Sequence, residues 1–118
     1  MTRWAWLPVA LLCWSVTAVP VRTIDGDTFV ASLAIWPGLT AKEIIRVLGV
    51  NTPEMTGATK EAGVRAKAFT AQWLMQEGIV RVYVCQRDAF GRLLGTVTRG
   101  SDNLTMLLLE RGHAVPYK

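Results

Sequence analysis

A chain of 118 residues, 51% of them hydrophobic, has room for one domain around one core, and it carries no internal repeat or low-complexity segment. Its 13 Lys and Arg against 9 Asp and Glu leave a net charge of +4, which suits a polyanionic partner and equally serves solubility. Nine of the 13 are Arg, whose planar fork grips phosphate at two points where Lys acts as a point charge.

The first element is a candidate export leader. Met1-Thr2-Arg3 gives a positive start, residues 4–16 form an uncharged apolar run, and Val16-Thr17-Ala18 supplies the small residues of a cleavage site. The expected leader is residues 1–18 and the expected domain is residues 19–118, in a secreted or periplasmic protein with no stable membrane association once the leader is removed. The apolar run is shorter than the ~20 residues of a spanning helix, and Pro8 interrupts it, so an uncleaved anchor or a buried helix is the lesser alternative. Removing the leader takes Cys13 with it, which leaves Cys85 a plain thiol without an intramolecular partner.

Residues 21–24 and 28–34 read as strands on either side of a tight Asp25-Gly26-Asp27 turn, and Pro37-Gly38 marks the next reversal. A solvent-facing loop is expected around residues 39–42, then a third strand over 43–50. From Ala62 the apolar positions take helical spacing through Ala66, Phe69 and Trp73, with Gly78 placed as the C-terminal cap. Val80, Val82 and Val84 alternate with Arg81, Tyr83 and Cys85, the period of a half-buried strand. A turn over 88–91 leads to a last strand over 92–98. Ser101 or Asp102 then caps a short helix striped by Leu104, Leu107 and Leu108, with Arg111 and Gly112 at its end. Five strands with a helix between the third and fourth is the order of an OB-type barrel, an α+β arrangement that commonly holds nucleic acid.

Four polar motifs stand out. Asp25-Gly26-Asp27, Asn51-Thr52-Pro53-Glu54 and Phe90-Gly91-Arg92 each have a turn-forming explanation when taken singly. Arg46 does not: it interrupts the apolar run Ile44-Ile45-Arg46-Val47-Leu48, where a buried guanidinium is costly unless an anion or carboxylate faces it.

Together these motifs resemble the staphylococcal nuclease-like (thermonuclease) family. The residues that carry the resemblance are Ile24-Asp25-Gly26-Asp27-Thr28, the run from Ile45 through Arg46 and Asn51 to Glu54, Ala66-Lys67-Ala68-Phe69-Thr70, Asp88-Ala89-Phe90-Gly91-Arg92 and Leu109-Glu110-Arg111-Gly112-His113-Ala114. The resemblance implies a five-stranded OB-fold barrel and a calcium-dependent nuclease acting on DNA, RNA or both, as single strands or opened duplex. No protein partner is implied. It assigns Asp27, Asn51 and the Thr52 main-chain carbonyl to a Ca2+ ion, since hard cations take oxygen ligands. Glu54 is expected to activate the attacking water, and Arg46 and Arg92 to clamp the phosphate through its transition state. Such a reaction needs no covalent enzyme intermediate, and with His113 the only histidine there is no Ser-His or Cys-His arrangement.

Two departures qualify the resemblance. The family usually has Asp where this chain has Asn51, whose amide oxygen ligates without adding charge and so points to a weak calcium site. Where strong nucleotide binders of the family have Lys-Tyr, this chain has Ala89-Phe90, and Phe90 stacks on a base without donating a hydrogen bond. The second reading that follows is a catalytically weak or inactive OB module that binds nucleic acid. Tyr117 is left between an aromatic substrate contact and a core or surface role, and His113 is expected at a helix end rather than on a metal.

Overall fold

A computed structural model of the chain describes residues 13–117. Strands β1 (Trp14–Asp25), β2 (Thr28–Trp36) and β3 (Leu39–Val47) form an antiparallel meander. A two-residue strand β4 (Val50–Asn51) follows, then a single 3-10 turn and helix α1 (Lys60–Leu74). Strand β5 (Val80–Arg87) pairs back onto the first half of β1, from Trp14 opposite Val84 to Ala18 opposite Val80. Strand β6 (Leu93–Arg99) is antiparallel to β5 and runs parallel to Ile45, Arg46 and Val47 of β3, which closes a five-stranded mixed barrel. Short β7 (Asp102–Asn103) turns back antiparallel on the end of β6, helix α2 (Leu104–Glu110) follows, and β8 (Val115–Pro116) pairs with β4. The expected OB-fold barrel with two helices is the fold observed.

Alternation decides what each strand buries. Phe29, Ala31 and Leu33 of β2 and Val80, Val82 and Val84 of β5 point into the barrel and are essentially inaccessible. Trp73 and Leu74 of α1 and Leu104 and Leu108 of α2 close the core. Each fully buried Leu, Val or Phe contributes roughly 1.5–3 kcal/mol relative to an exposed one, and this shared core holds the turns that carry the polar motifs.

Several expected boundaries move. The first strand begins at Trp14 rather than near Val21: residues 14–18 form the first half of β1, with Val16 and Ala18 in the core, so the boundary expected after Ala18 falls inside a strand. Residues 1–12, the rest of the expected leader, lie outside the described residues. Cys85 is not a free thiol. It is disulfide-bonded to Cys13, because the β1–β5 register that pairs Trp14 with Val84 brings the next pair of positions side by side. The loop expected at 39–42 is the start of β3, paired through Lys42 and Ser32 to β2. The third strand stops at Val47 instead of Val50, as Gly49, at φ +90°, turns the chain into β4. Asn103, not Ser101 or Asp102, caps α2 by accepting the Met106 N–H. Helix α1 ends at Leu74 with Met75 as its cap, and Gly78 lies beyond, in the turn to β5. Among the described residues no helix is long and apolar enough to cross a membrane.

Candidate active site

The site begins at the β1–β2 turn. The Asp27 N–H donates to Asp25 Oδ1 at 3.1 Å, a side-chain-closed turn that puts two carboxylates two residues apart. Helix α1 backs it: a Cβ on Gly26 would stand 2.8 Å from both Ala66 Cβ and Thr52 Cγ2, and the buried Thr70 hydroxyl donates to the Gly26 carbonyl at 2.7 Å. Only glycine allows the turn to sit this close to the helix.

Asp27 is 5% exposed and each of its oxygens has a partner. Oδ1 accepts from the Thr28 hydroxyl at 2.9 Å, Oδ2 accepts from the Thr52 N–H at 2.9 Å, and Arg46 Nη2 stands 3.4 Å from Oδ2. Burial opposes its charge, but hydrogen bonds from Asp25, Thr52 and Thr28 and the Arg46 charge outweigh it and hold the carboxyl below its ordinary range. Asp25 goes the other way. Burial first, then the contact with Asp27 and its charge, push the Asp25 carboxyl up to about 6.

Arg46, on β3, is buried, and the backbone meets its charge as well as Asp27 does. Nη1 donates at 2.9 Å to the carbonyls of both Val47 and Val50, and Nη2 donates to Asn51 Oδ1 at 3.1 Å. The side chain is thereby fixed, and Nε–H, which has no partner among the described residues, is left to meet an anion. The Tyr117 ring packs under the guanidinium at 5.8 Å, and the Tyr117 N–H is tied to the Gly49 carbonyl. That assigns Tyr117, left open by the sequence, to the site.

Glu54 follows β4 on a segment seated against α1. A Cβ on Gly63 would lie 2.6 Å from the Glu54 carbonyl oxygen, and the Thr59 hydroxyl donates to that same oxygen at 2.8 Å. The Glu54 side chain is exposed at the cleft. Opposite stands the β5–β6 turn, organised by Asp88. Its Oδ1 accepts from the N–H groups of Phe90 and Arg92 at 2.9 Å, and its Oδ2 accepts from Arg92 Nε at 2.7 Å. Arg92 uses Nε alone toward the described residues, so its terminal nitrogens face the cleft without a protein partner. The Phe90 ring lies 5.4 Å from that guanidinium and is 84% exposed.

All the residues singled out in the sequence, Asp27, Arg46, Asn51, Thr52, Glu54, Phe90 and Arg92, line one cleft of about 660 Å³. Asp25, Asp88 and Tyr117 join them. The sequence alone marks the two acids as turn formers, although Asp25 two residues from Asp27 and Asp88 four before Arg92 are the spacings at which carboxylates pair and arginines are held. His113 stands elsewhere, its ring tilted against Phe69 at 4.9 Å between centroids.

A calcium ion has a suitable donor set here. The candidate ligands are all oxygens, from a carboxylate, an amide and a carbonyl, the donor type that a hard cation takes. Among the described residues no cluster of three or more His, Cys, Asp or Glu side chains forms, so the set is a sparse one.

No curated protein matches the chain. The staphylococcal nuclease homologue family matches it over residues 44–118, a stretch that contains Arg46, Asn51, Glu54 and Arg92 and leaves the Asp25-Gly26-Asp27 turn outside. With more than half of its length matched and the barrel closed around that stretch, the chain belongs to the family of staphylococcal nuclease homologues.

Proposed function

We propose that the chain is a calcium-dependent nuclease that hydrolyses phosphodiester bonds of DNA, RNA or both. The observation that carries this reading is the convergence of an exposed carboxylate, Glu54, and two guanidinium groups, Arg46 and Arg92, on one cleft whose floor is the Asp25–Asp27 turn. Asp27, Asn51 and the Thr52 carbonyl are the groups that would hold calcium, which when bound draws charge from a phosphate oxygen.

The remaining chemistry belongs to side chains. Glu54 positions a water and takes its proton as the water oxygen forms a bond to phosphorus and the bond from phosphorus to the leaving oxygen breaks. Arg46 enters the reaction already held by two carbonyls, so little reorganisation is needed when its free edge meets the added charge of the five-coordinate transition state. Arg92, held through Nε by Asp88, offers its two terminal nitrogens to the same phosphate. Export from the reducing cytoplasm is part of the proposal: the Cys13–Cys85 disulfide supports it, and because that bond needs Cys13, cleavage after Ala18 is not part of the proposal.

A second reading, a binding module without useful catalysis, is favoured by one contact. The Asn51 amide oxygen, the atom a calcium ion would need, accepts from Arg46. Labelled single-stranded DNA and RNA, incubated with the purified chain in millimolar calcium or in excess chelator, separate the two. The nuclease reading expects calcium-promoted cleavage that drops by at least about 100-fold in Glu54→Gln, within the usual range for a lost general base. It also expects Asn51→Asp to raise activity at low calcium, by adding a charged ligand and a charge partner for Arg46. Binding with no cleavage in either form would leave the binding module standing.

A further inference from the structure

Beside the cleft lies a second groove of about 410 Å³ that shares Phe90 and Arg92 with it and is lined besides by Gly91 of the same turn and by Arg22, Val30, Lys42, Glu43 and Ile44. Register explains its shape. On the outer face of the meander, buried Thr28 pairs with Arg46, which lines the cleft. The next outward row is Arg22, Val30 and Ile44, and the row after that carries Ser32 and Lys42. Along β3 the series Arg46, Ile44, Lys42 therefore runs out of the cleft on one face, covering roughly 14 Å at ~3.4 Å per residue.

The lining has a definite chemistry. Arg22 and Lys42 are exposed cations that make no ion pair with the described residues. Between them the 40% exposed Ile44, backed by Val30 at 6% exposure, gives an apolar floor, and the Phe90 ring stands at the junction with the cleft. The one acid that lines the groove, Glu43, is already neutralised by a two-bond pair with Arg87 at 3.0 and 2.9 Å. Positive charge along an apolar floor, with an aromatic face at one end, fits a polyanion whose bases are free to stack. A duplex keeps its bases stacked inside and offers only its phosphates.

We infer that this groove is a single-strand track: a polynucleotide held at the cleft continues over Phe90, with its phosphates near Arg22 and Lys42 and a base on the Val30–Ile44 floor. The inference rests on the cleft being a phosphodiester site, and it adds that affinity grows with strand length on the β3 side. Neither Arg22 nor Lys42 touches the reacting phosphate, so the track sets the affinity for long strands and leaves the chemical step alone.

The test measures binding of fluorescent oligothymidylates to the full chain in chelator, which prevents cleavage, with Arg22→Ala/Lys42→Ala beside the parent. Expected are much tighter binding of a dodecanucleotide than of a dinucleotide, and a loss of about tenfold or more for the dodecanucleotide in the double variant with the dinucleotide unchanged. The salt slope of log Kd should fall by roughly 1.4 for two lost phosphate contacts on a single strand. An unchanged ratio of long to short affinities in the variant, or equal length dependence for a blunt duplex, overturns the track. Cleavage of a dinucleotide in calcium reports separately on the nuclease reading: length-dependent binding without any cleavage sinks that reading and upholds the track, whereas cleavage without length dependence does the reverse.

Discussion

Asp88 shows how much of this site depends on a side chain that need never touch substrate. One oxygen closes the β5–β6 turn by accepting two backbone N–H groups, and the other fixes Arg92 through Nε. Burial disfavours the ionised carboxyl, but the Arg92 hydrogen bond and charge and the two N–H groups outweigh it, so the pKa lies below the ordinary 3.8. A lowered carboxylate pKa contributes stability that is present above 3.8 and is lost as pH falls through the native value. Asp88→Asn keeps the shape but cannot accept from Nε with its amide nitrogen. Its expected thermal-melting deficit relative to the parent is constant near neutral pH and shrinks toward zero in strong acid. A deficit that persists there would mean that shape, not charge, is what Asp88 supplies. Cleavage measured alongside should fall by about 10- to 100-fold, the scale at which a slightly misplaced clamp is felt.

Among the elements, α1 does the most to set the geometry of the cleft. Gly26 and Gly63 let the Asp turn and the Glu54 segment approach within contact, and Thr70 ties the first of them down. Gly63→Ala puts a methyl 2.6 Å from the Glu54 carbonyl oxygen, a backbone atom that can yield only by moving the segment. Overpacking of this kind costs roughly 1–3 kcal/mol. Melting temperature should fall by several degrees, and kcat should fall more than KM rises, because Glu54 moves while the arginines stay. Equal kcat in the variant would mean that the Glu54 side chain corrects for the shift. Periodicity made α1 and the barrel order legible in the sequence, and Arg46 stood out as a charge in an apolar run, whereas Asp27, Glu54 and Arg92 were singled out only through the family resemblance of their motifs. The close approach at Gly63 was not legible, because it depends on which backbone segment the fold lays across the helix. The cap at Asn103 was missed for a nearer reason: Ser101, Asp102 and Asn103 are all good caps, and only the start of the helix chooses among them. The start of β1 was hidden because an uncharged run satisfies a leader and a barrel strand equally, and Ser15 and Thr17 were too few polar positions to reveal the alternation of Val16 and Ala18.

At the scale of the whole molecule the barrel is closed twice, by hydrogen bonds and by a covalent bond. The parallel β3–β6 ladder is only three residues long, and β1 reaches β5 through its first five strand residues. Those five are the outer end of β1, the first strand among the described residues, and a strand end frays unless something holds it. The Cys13–Cys85 disulfide does so at the outer limit of the β1–β5 pairing, closing a loop across a sequence separation of 72. Chain-entropy arguments give a loop of that length about 4 kcal/mol, against a typical total of 5–15 kcal/mol for a small domain. Reduction, or Cys13→Ser with Cys85→Ser, is therefore expected to take a large share of the stability while leaving the cleft intact, since neither cysteine lines it. Melting in oxidised and reduced buffer should show a drop of well over ten degrees, and cleavage assayed well below the lower transition should be nearly unchanged. A melting temperature indifferent to reductant would mean that the β1–β5 ladder and the core under Val16 and Ala18 hold the barrel without the bond. Activity lost along with the disulfide at low temperature would mean instead that the far end of β1 is coupled to its other end, the turn that carries Asp25 and Asp27.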